Sequence, residues 1–166
     1  MEPVTGWRQI GSGKHLAIFV AIVFVVAAIG GLAPPGEWYE ALNKPPWTPP
    51  NWLFGPAWTL LYLMVAVAGW IIFTHAPTAT TKILWSVQMV VNAAWSLLFF
   101  GAKEIGIALI DVTAMSVLAL VLIIVLLRHV FAWSRLAAVL FMPYWVWVTF
   151  AGALNASIWL RNPVVP

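Results

Sequence analysis

The sequence contains no cysteine. Disulfides, thiolate nucleophiles, iron–sulfur clusters and Cys-ligated zinc or haem are therefore excluded. Charge is nearly as scarce, at 8% of residues against about 25% in a soluble domain. A chain this poor in charge cannot cover itself with a polar surface. The net charge of +3 and the pI near 9.6 come from few residues, with no basic patch interleaved with polar ones, so nucleic acid is not an expected partner. No Ser/His/Asp set, phosphate loop or metal-ligand cluster occurs in the sequence, and Ser86, Ser96 and Ser157 lack a base in the same half of the molecule. Hydrolase chemistry has no support. Internal repeats are absent too.

What the chain has in abundance is apolar length. Hydrophobic residues make up 63% of it, with a mean hydropathy of +0.96. Five stretches, 16–32, 52–73, 83–100, 105–127 and 136–160, are long enough to cross a bilayer, and Asp111 is the one formal charge within them. Helix is the state that satisfies the backbone in lipid, and the alternation of a barrel strand is missing. The expected fold class is an all-α membrane protein: residues 1–166 as one domain, a single bundle of five transmembrane helices with a long structured loop, 33–51, between the first two. The length of the first run and the Pro34-Pro35 stop after it favour a true span over a cleaved signal peptide. An odd number of spans puts the termini on opposite sides and argues against two equal inverted halves. Arg8, Lys14, Lys82, Arg128 and Arg135 share the N-terminal face, against Lys44, Lys103 and Arg161 on the face of the long loop. That excess favours a cytoplasmic N-terminus.

The long loop is the unusual segment. A connection of this length in a compact bundle is functional or disordered. Disorder does not fit the pairs Pro45-Pro46 and Pro49-Pro50, because each proline fixes φ and restricts the residue before it. The stretch 36–42 suits one or two helical turns. Trp38, Trp52 and Trp159, taken singly, suit an interfacial belt. A belt does not need so many prolines, whereas a rigid aromatic lid closing one end of the bundle accounts for both features.

Depth and periodicity point under that lid. At 1.5 Å per residue, Trp58, Trp95 and Asp111 lie about 9 Å below the loop face, Asn92 about 14 Å and Trp147 roughly 20 Å. Gln88, Asn92, Trp95 and Phe99 share one side of their helix, as do Trp58 with Tyr62, and Tyr144 with Trp147, Ala151 and Leu154. Deep amides turn inward. Gln88 and Asn92 are then either interhelical hydrogen-bonding groups or the polar points of a site, and Trp58 and Trp147 are either packing or its walls. Together they compose an apolar aromatic pocket with few polar groups, suited to a large, flat hydrophobic ligand. Asp111, an intramembrane acid, is a proton site or a buried hydrogen-bonding group. His15, His75 and His129 fall at helix ends on the opposite face. They lie too far from the lid to reach a ligand beneath it.

These residues carry a family resemblance. The run Trp38-Tyr39, Leu42-Asn43-Lys44-Pro45-Pro46-Trp47-Thr48-Pro49-Pro50, then Trp58, Tyr62, Gln88, Asn92-Ala93-Ala94-Trp95, Phe99-Phe100-Gly101, Asp111, Pro143-Tyr144, Trp147 and Leu154-Asn155 resembles the TspO/MBR translocator family, the peripheral-type benzodiazepine receptors. The resemblance implies a five-helix bundle, a homodimer, that binds porphyrins and, in some members, sterols and isoquinoline-type ligands. It implies a receptor or translocator with no required cofactor, whose ligand is a metal-free porphyrin such as protoporphyrin IX. Tyr39, Pro49, Trp58, Tyr62, Asn92, Trp95, Trp147, Ala151 and Leu154 are the expected ligand-binding positions. Trp58 and Trp147 match tryptophans linked in the family to light-dependent porphyrin breakdown, so an enzymatic alternative stands beside the receptor. A proton-coupled transporter using Asp111 is a third reading. One departure bears on sterols: Ala156 stands where animal members carry a tyrosine of a cholesterol motif.

Overall fold

The computed structural model describes residues 13–75 and 78–163. Among them run five long helices and one short one: α1 (Gly13–Gly31), α2 (Glu37–Ala41), α3 (Asn51–His75), α4 (Ala79–Ser96), α5 (Ile105–Arg128) and α6 (Ala132–Arg161). The last four long helices have the length and hydropathy to cross a membrane; the apolar part of α1, His15–Gly31, is shorter. The chain is an all-α integral membrane bundle, as its apolar runs require. Arg8 and the rest of the first twelve residues lie outside the described segment.

The helices extend past the apolar runs at several ends. α6 begins at Ala132, four residues before the expected start, and α4 begins at Ala79 behind the N-cap Thr78, whose hydroxyl accepts from Thr81 N at 3.4 Å. Hydropathy marks the part of a helix inside hydrocarbon, whereas backbone hydrogen bonding carries it into the headgroup region. The third span also departs from regular geometry. α4 continues into a π-helical turn, Leu97–Gly101, a rare wide turn that tends to occur at functional sites. Lys103, in the connection to α5, takes a left-handed φ of 62°.

Packing is tightest around small residues. α5 and α6 form the most extensive pair, joined by Asn155 Nδ2 donating to Ile105 O at 2.9 Å and by the Ser116–Thr149 hydroxyl pair at 2.8 Å. The Trp85 indole of α4 lies across the backbone of α3, its Nε1 donating to Val65 O at 3.2 Å. Gly69, one turn on, makes room for it: a Cβ there would stand 2.5 Å from two carbons of the Trp85 ring. Gly69→Ala is therefore expected to destabilise the bundle by about 1–3 kcal/mol, the usual cost of overpacking. Loss of thermal stability in detergent measures this, and an unchanged midpoint would mean that the indole can move aside at no cost.

Candidate functional site

The connection between α1 and α3 folds down as an ordered lid. Its α2 turn starts after Gly36 and ends at Leu42. Lys44 takes the exposed carbonyls at the end of that turn, donating through Nζ to Tyr39 O and to Glu40 O, and sits 4.4 Å from the centroid of the Tyr39 ring. Thr48 donates from its N–H and hydroxyl to Pro45 O at 3.0 and 2.7 Å, closing the turn between the two proline pairs. Two ties fix the lid to the bundle. Asn43 N donates to Asn162 Oδ1 at 3.0 Å and Asn162 Nδ2 returns a bond to Asn43 O at 3.2 Å; Asn51 Nδ2 donates to Glu40 Oε1 at 2.8 Å. Aromatic packing completes the closure. Tyr39 meets Phe100 and Phe99 edge-on at 5.3 and 6.2 Å, and Trp47 meets Phe150 of α6 at 5.8 Å.

Beneath the lid lies a cavity of about 410 Å³, inside the range of small-molecule sites. Its roof is Pro34, Pro35 and Tyr39. α3 supplies Phe54, Trp58 and Tyr62, three residues on one face at successive turns, and α6 supplies Trp147, Ala151 and Leu154. Asn92, Trp95 and Ser96 come from α4, and the π-helical turn brings both Phe99 and Phe100 to the wall. Trp58 and Trp147 stand edge to face at 6.5 Å, and Phe54 packs on Trp147 at 5.9 Å. Trp95 stacks on Phe99 at 5.3 Å and anchors its Nε1 on Asn155 Oδ1 at 3.3 Å. The wall is thus mainly aromatic, with a few polar groups placed by other side chains. Such a surface offers stacking and edge contacts to a flat apolar molecule, and no ionised side chain lies among the lining residues.

Eight of the nine ligand-binding positions expected from the sequence meet at this cavity: Tyr39, Trp58, Tyr62 and Asn92, with Trp95, Trp147, Ala151 and Leu154. Pro49 does not. It is half-buried in the lid, where the Pro45–Pro50 stretch runs across towards α6 while the earlier Pro34-Pro35 pair forms the roof. Asp111 is also absent from the lining, and of its two expected roles the hydrogen-bonding one is not seen among the described residues, where its Oδ2 is buried without a partner. The α1 contribution was missed. Ala27, Gly30 and Gly31 line the cavity, and a Cβ at Gly30 would come within 3.2 Å of Ser96 Oγ. Phe54 was missed as well, although it precedes Trp58 by four residues on the same stripe.

Five apolar helices with an ordered lid over an aromatic cavity whose lining carries no ionised side chain define a polytopic membrane protein with a lidded apolar cavity. The TspO/MBR family model matches residues 19–160. Protein CrtK of Rhodobacter capsulatus is 37% identical over 153 residues, 89% of this chain and 92% of that one. Tryptophan-rich protein TspO of Archaeoglobus fulgidus is 38% identical over 127 residues, 75% of this chain and 80% of that one. The human Translocator protein is 35% identical over 134 residues, covering 76% and 75%. The chain belongs to the TspO/MBR family.

Proposed function

We propose that the protein is a membrane receptor or carrier for tetrapyrroles, binding metal-free protoporphyrin IX under the lid with no cofactor and no axial ligand from the chain. The observation that carries this reading is the pairing of the Trp58 and Trp147 indoles at the wall of a 410 Å³ cavity, since aromatic walls suit a planar ring system. Asn92 provides a polar point for the edge of the pigment. A sterol is a weaker fit, because Ala156 removes the tyrosine of the animal motif. The homodimer that the resemblance implies belongs to the same reading, and cross-linking in native membranes tests it. Titrating purified protein with protoporphyrin IX is expected to quench tryptophan fluorescence saturably, and Trp58→Phe to weaken the quenching. Equal quenching in the two proteins removes Trp58 from the site.

The close pair of indoles also favours a second reading, light-driven breakdown of the bound pigment. Illuminating the complex separates the two. A stable pigment spectrum fits a receptor; a new spectrum that disappears in Trp147→Phe fits an enzyme.

A further inference from the structure

Four side chains from three helices form one continuous polar chain at the cavity and behind it. Tyr62 of α3 donates its hydroxyl hydrogen to Asn92 Oδ1 at 2.8 Å, and Asn92 Nδ2 donates to the Tyr144 hydroxyl of α6 at 2.7 Å. Gln88 Nε2, one turn before Asn92 on α4, donates to the same hydroxyl at 2.8 Å. Tyr62 and Asn92 line the cavity; Tyr144 and Gln88 do not, and both are fully buried. Gln88 Oε1 has no partner among the described residues.

We propose that Tyr144 and Gln88 are positioning residues, holding the Asn92 amide in one orientation and so setting the affinity for a ligand they never touch. The terminal torsion of an asparagine is broad and has two nearly equivalent settings. Tyr62 fixes the carbonyl end and Tyr144 fixes one N–H, so the amide is gripped from both ends. The Tyr144 hydroxyl is itself gripped, since Gln88 and Asn92 occupy both of its lone pairs. One Asn92 N–H then has no partner among the described residues and, with Asn92 in the cavity wall, is available as a donor. It suits a ligand that brings an acceptor oxygen, a carbonyl or carboxylate, to that point. This inference rests on the proposed reading of the cavity as a binding site.

A double-mutant cycle with protoporphyrin IX and the purified full chain tests the link. Tyr144→Phe is expected to weaken binding about tenfold, as for loss of a well-placed hydrogen bond, but less than about twofold in an Asn92→Ala background. Equal losses in both backgrounds, or no loss in the first, overturn the proposal. A ligand-free readout makes the decision independent of the pigment and of the Tyr144 variant. In asparagine-selective ¹⁵N spectra, the two Asn92 side-chain protons are expected to be well separated, one bonded and one free. They should draw together in Gln88→Met, which removes the amide while keeping the length of the side chain; an unmoved pair of signals overturns the positioning claim. A wild type that fails to bind protoporphyrin IX sinks the tetrapyrrole reading, and the amide spectrum still decides whether Gln88 and Tyr144 hold Asn92.

Discussion

Ala151→Phe is expected to weaken protoporphyrin IX binding about 100-fold or more, close to 3 kcal/mol, while leaving the bundle as stable as before. Ala151 lies on α6 one turn beyond Trp147, and both line the cavity. A phenyl ring added there projects into space that the ligand needs. Overpacking costs about 1–3 kcal/mol where a core is full, but the receiving volume here is a 410 Å³ void. A ring that enters it is expected to add apolar contacts rather than to crowd a full core. The contrast with Gly69 is the point of the test, since a single methyl group there meets the Trp85 ring at 2.5 Å. The same measurements, fluorescence titration and thermal unfolding in detergent, should move in opposite ways for the two variants: binding lost with stability kept at Ala151, stability lost at Gly69. Retained affinity in Ala151→Phe would mean that the pigment sits elsewhere.

The five spans were legible because the bilayer imposes one length and one composition on every crossing helix. Their ends were not, since Thr78, Trp133 and Ser134 lie outside the apolar runs and carry no hydropathy signal, although they continue or cap a helix. The stripes on α3, α4 and α6 were legible for a related reason: aromatic and amide residues at helical spacing declare a face. Tyr144 shows the limit of that argument. It shares the stripe of Trp147, Ala151 and Leu154, yet it lies behind the cavity as a hydrogen-bonding post for Asn92 and Gln88. The α1 wall was invisible because Ala27, Gly30 and Gly31 act by what they lack: with little or no side chain they give no aromatic or polar signal of a face. The π-helical turn was invisible because a widened turn depends on tertiary packing, here that of Phe99 and Phe100 against Tyr39. Pro49 lies outside the cavity lining, and rigidity in a loop says that it is ordered without saying which part of it faces inward.

Tyr39→Ala is expected to release the lid while the bundle stays folded. Tyr39 is 4% exposed, and its ring is enclosed by Phe99, Phe100 and Lys44. Truncating a buried aromatic costs about 3–5 kcal/mol. The loss falls on lid docking, because the cluster that Tyr39 joins lies between the lid and one end of the bundle. The open population should then rise by a factor of about 100 or more, and cleavage by a protease follows that population when opening and closing are fast. A glutamate-specific protease reads it directly, since Glu37 and Glu40 lie in the α2 turn of the lid. Cleavage there should accelerate about 100-fold in Tyr39→Ala, and by less than about twofold in Tyr39→Phe, which keeps the ring. Alkali should act in the same direction. Burial, and after it the Glu40 carboxylate, push the Tyr39 hydroxyl above its ordinary value of 10.0. The docked lid therefore favours the neutral phenol. Docking is fully stable below about pH 10 and weakens as pH rises through the higher value of the docked state. If Tyr39→Ala is cut no faster than the wild type, the two bonds between Asn43 and Asn162 hold the lid, and Asn162→Ala becomes the variant that opens it.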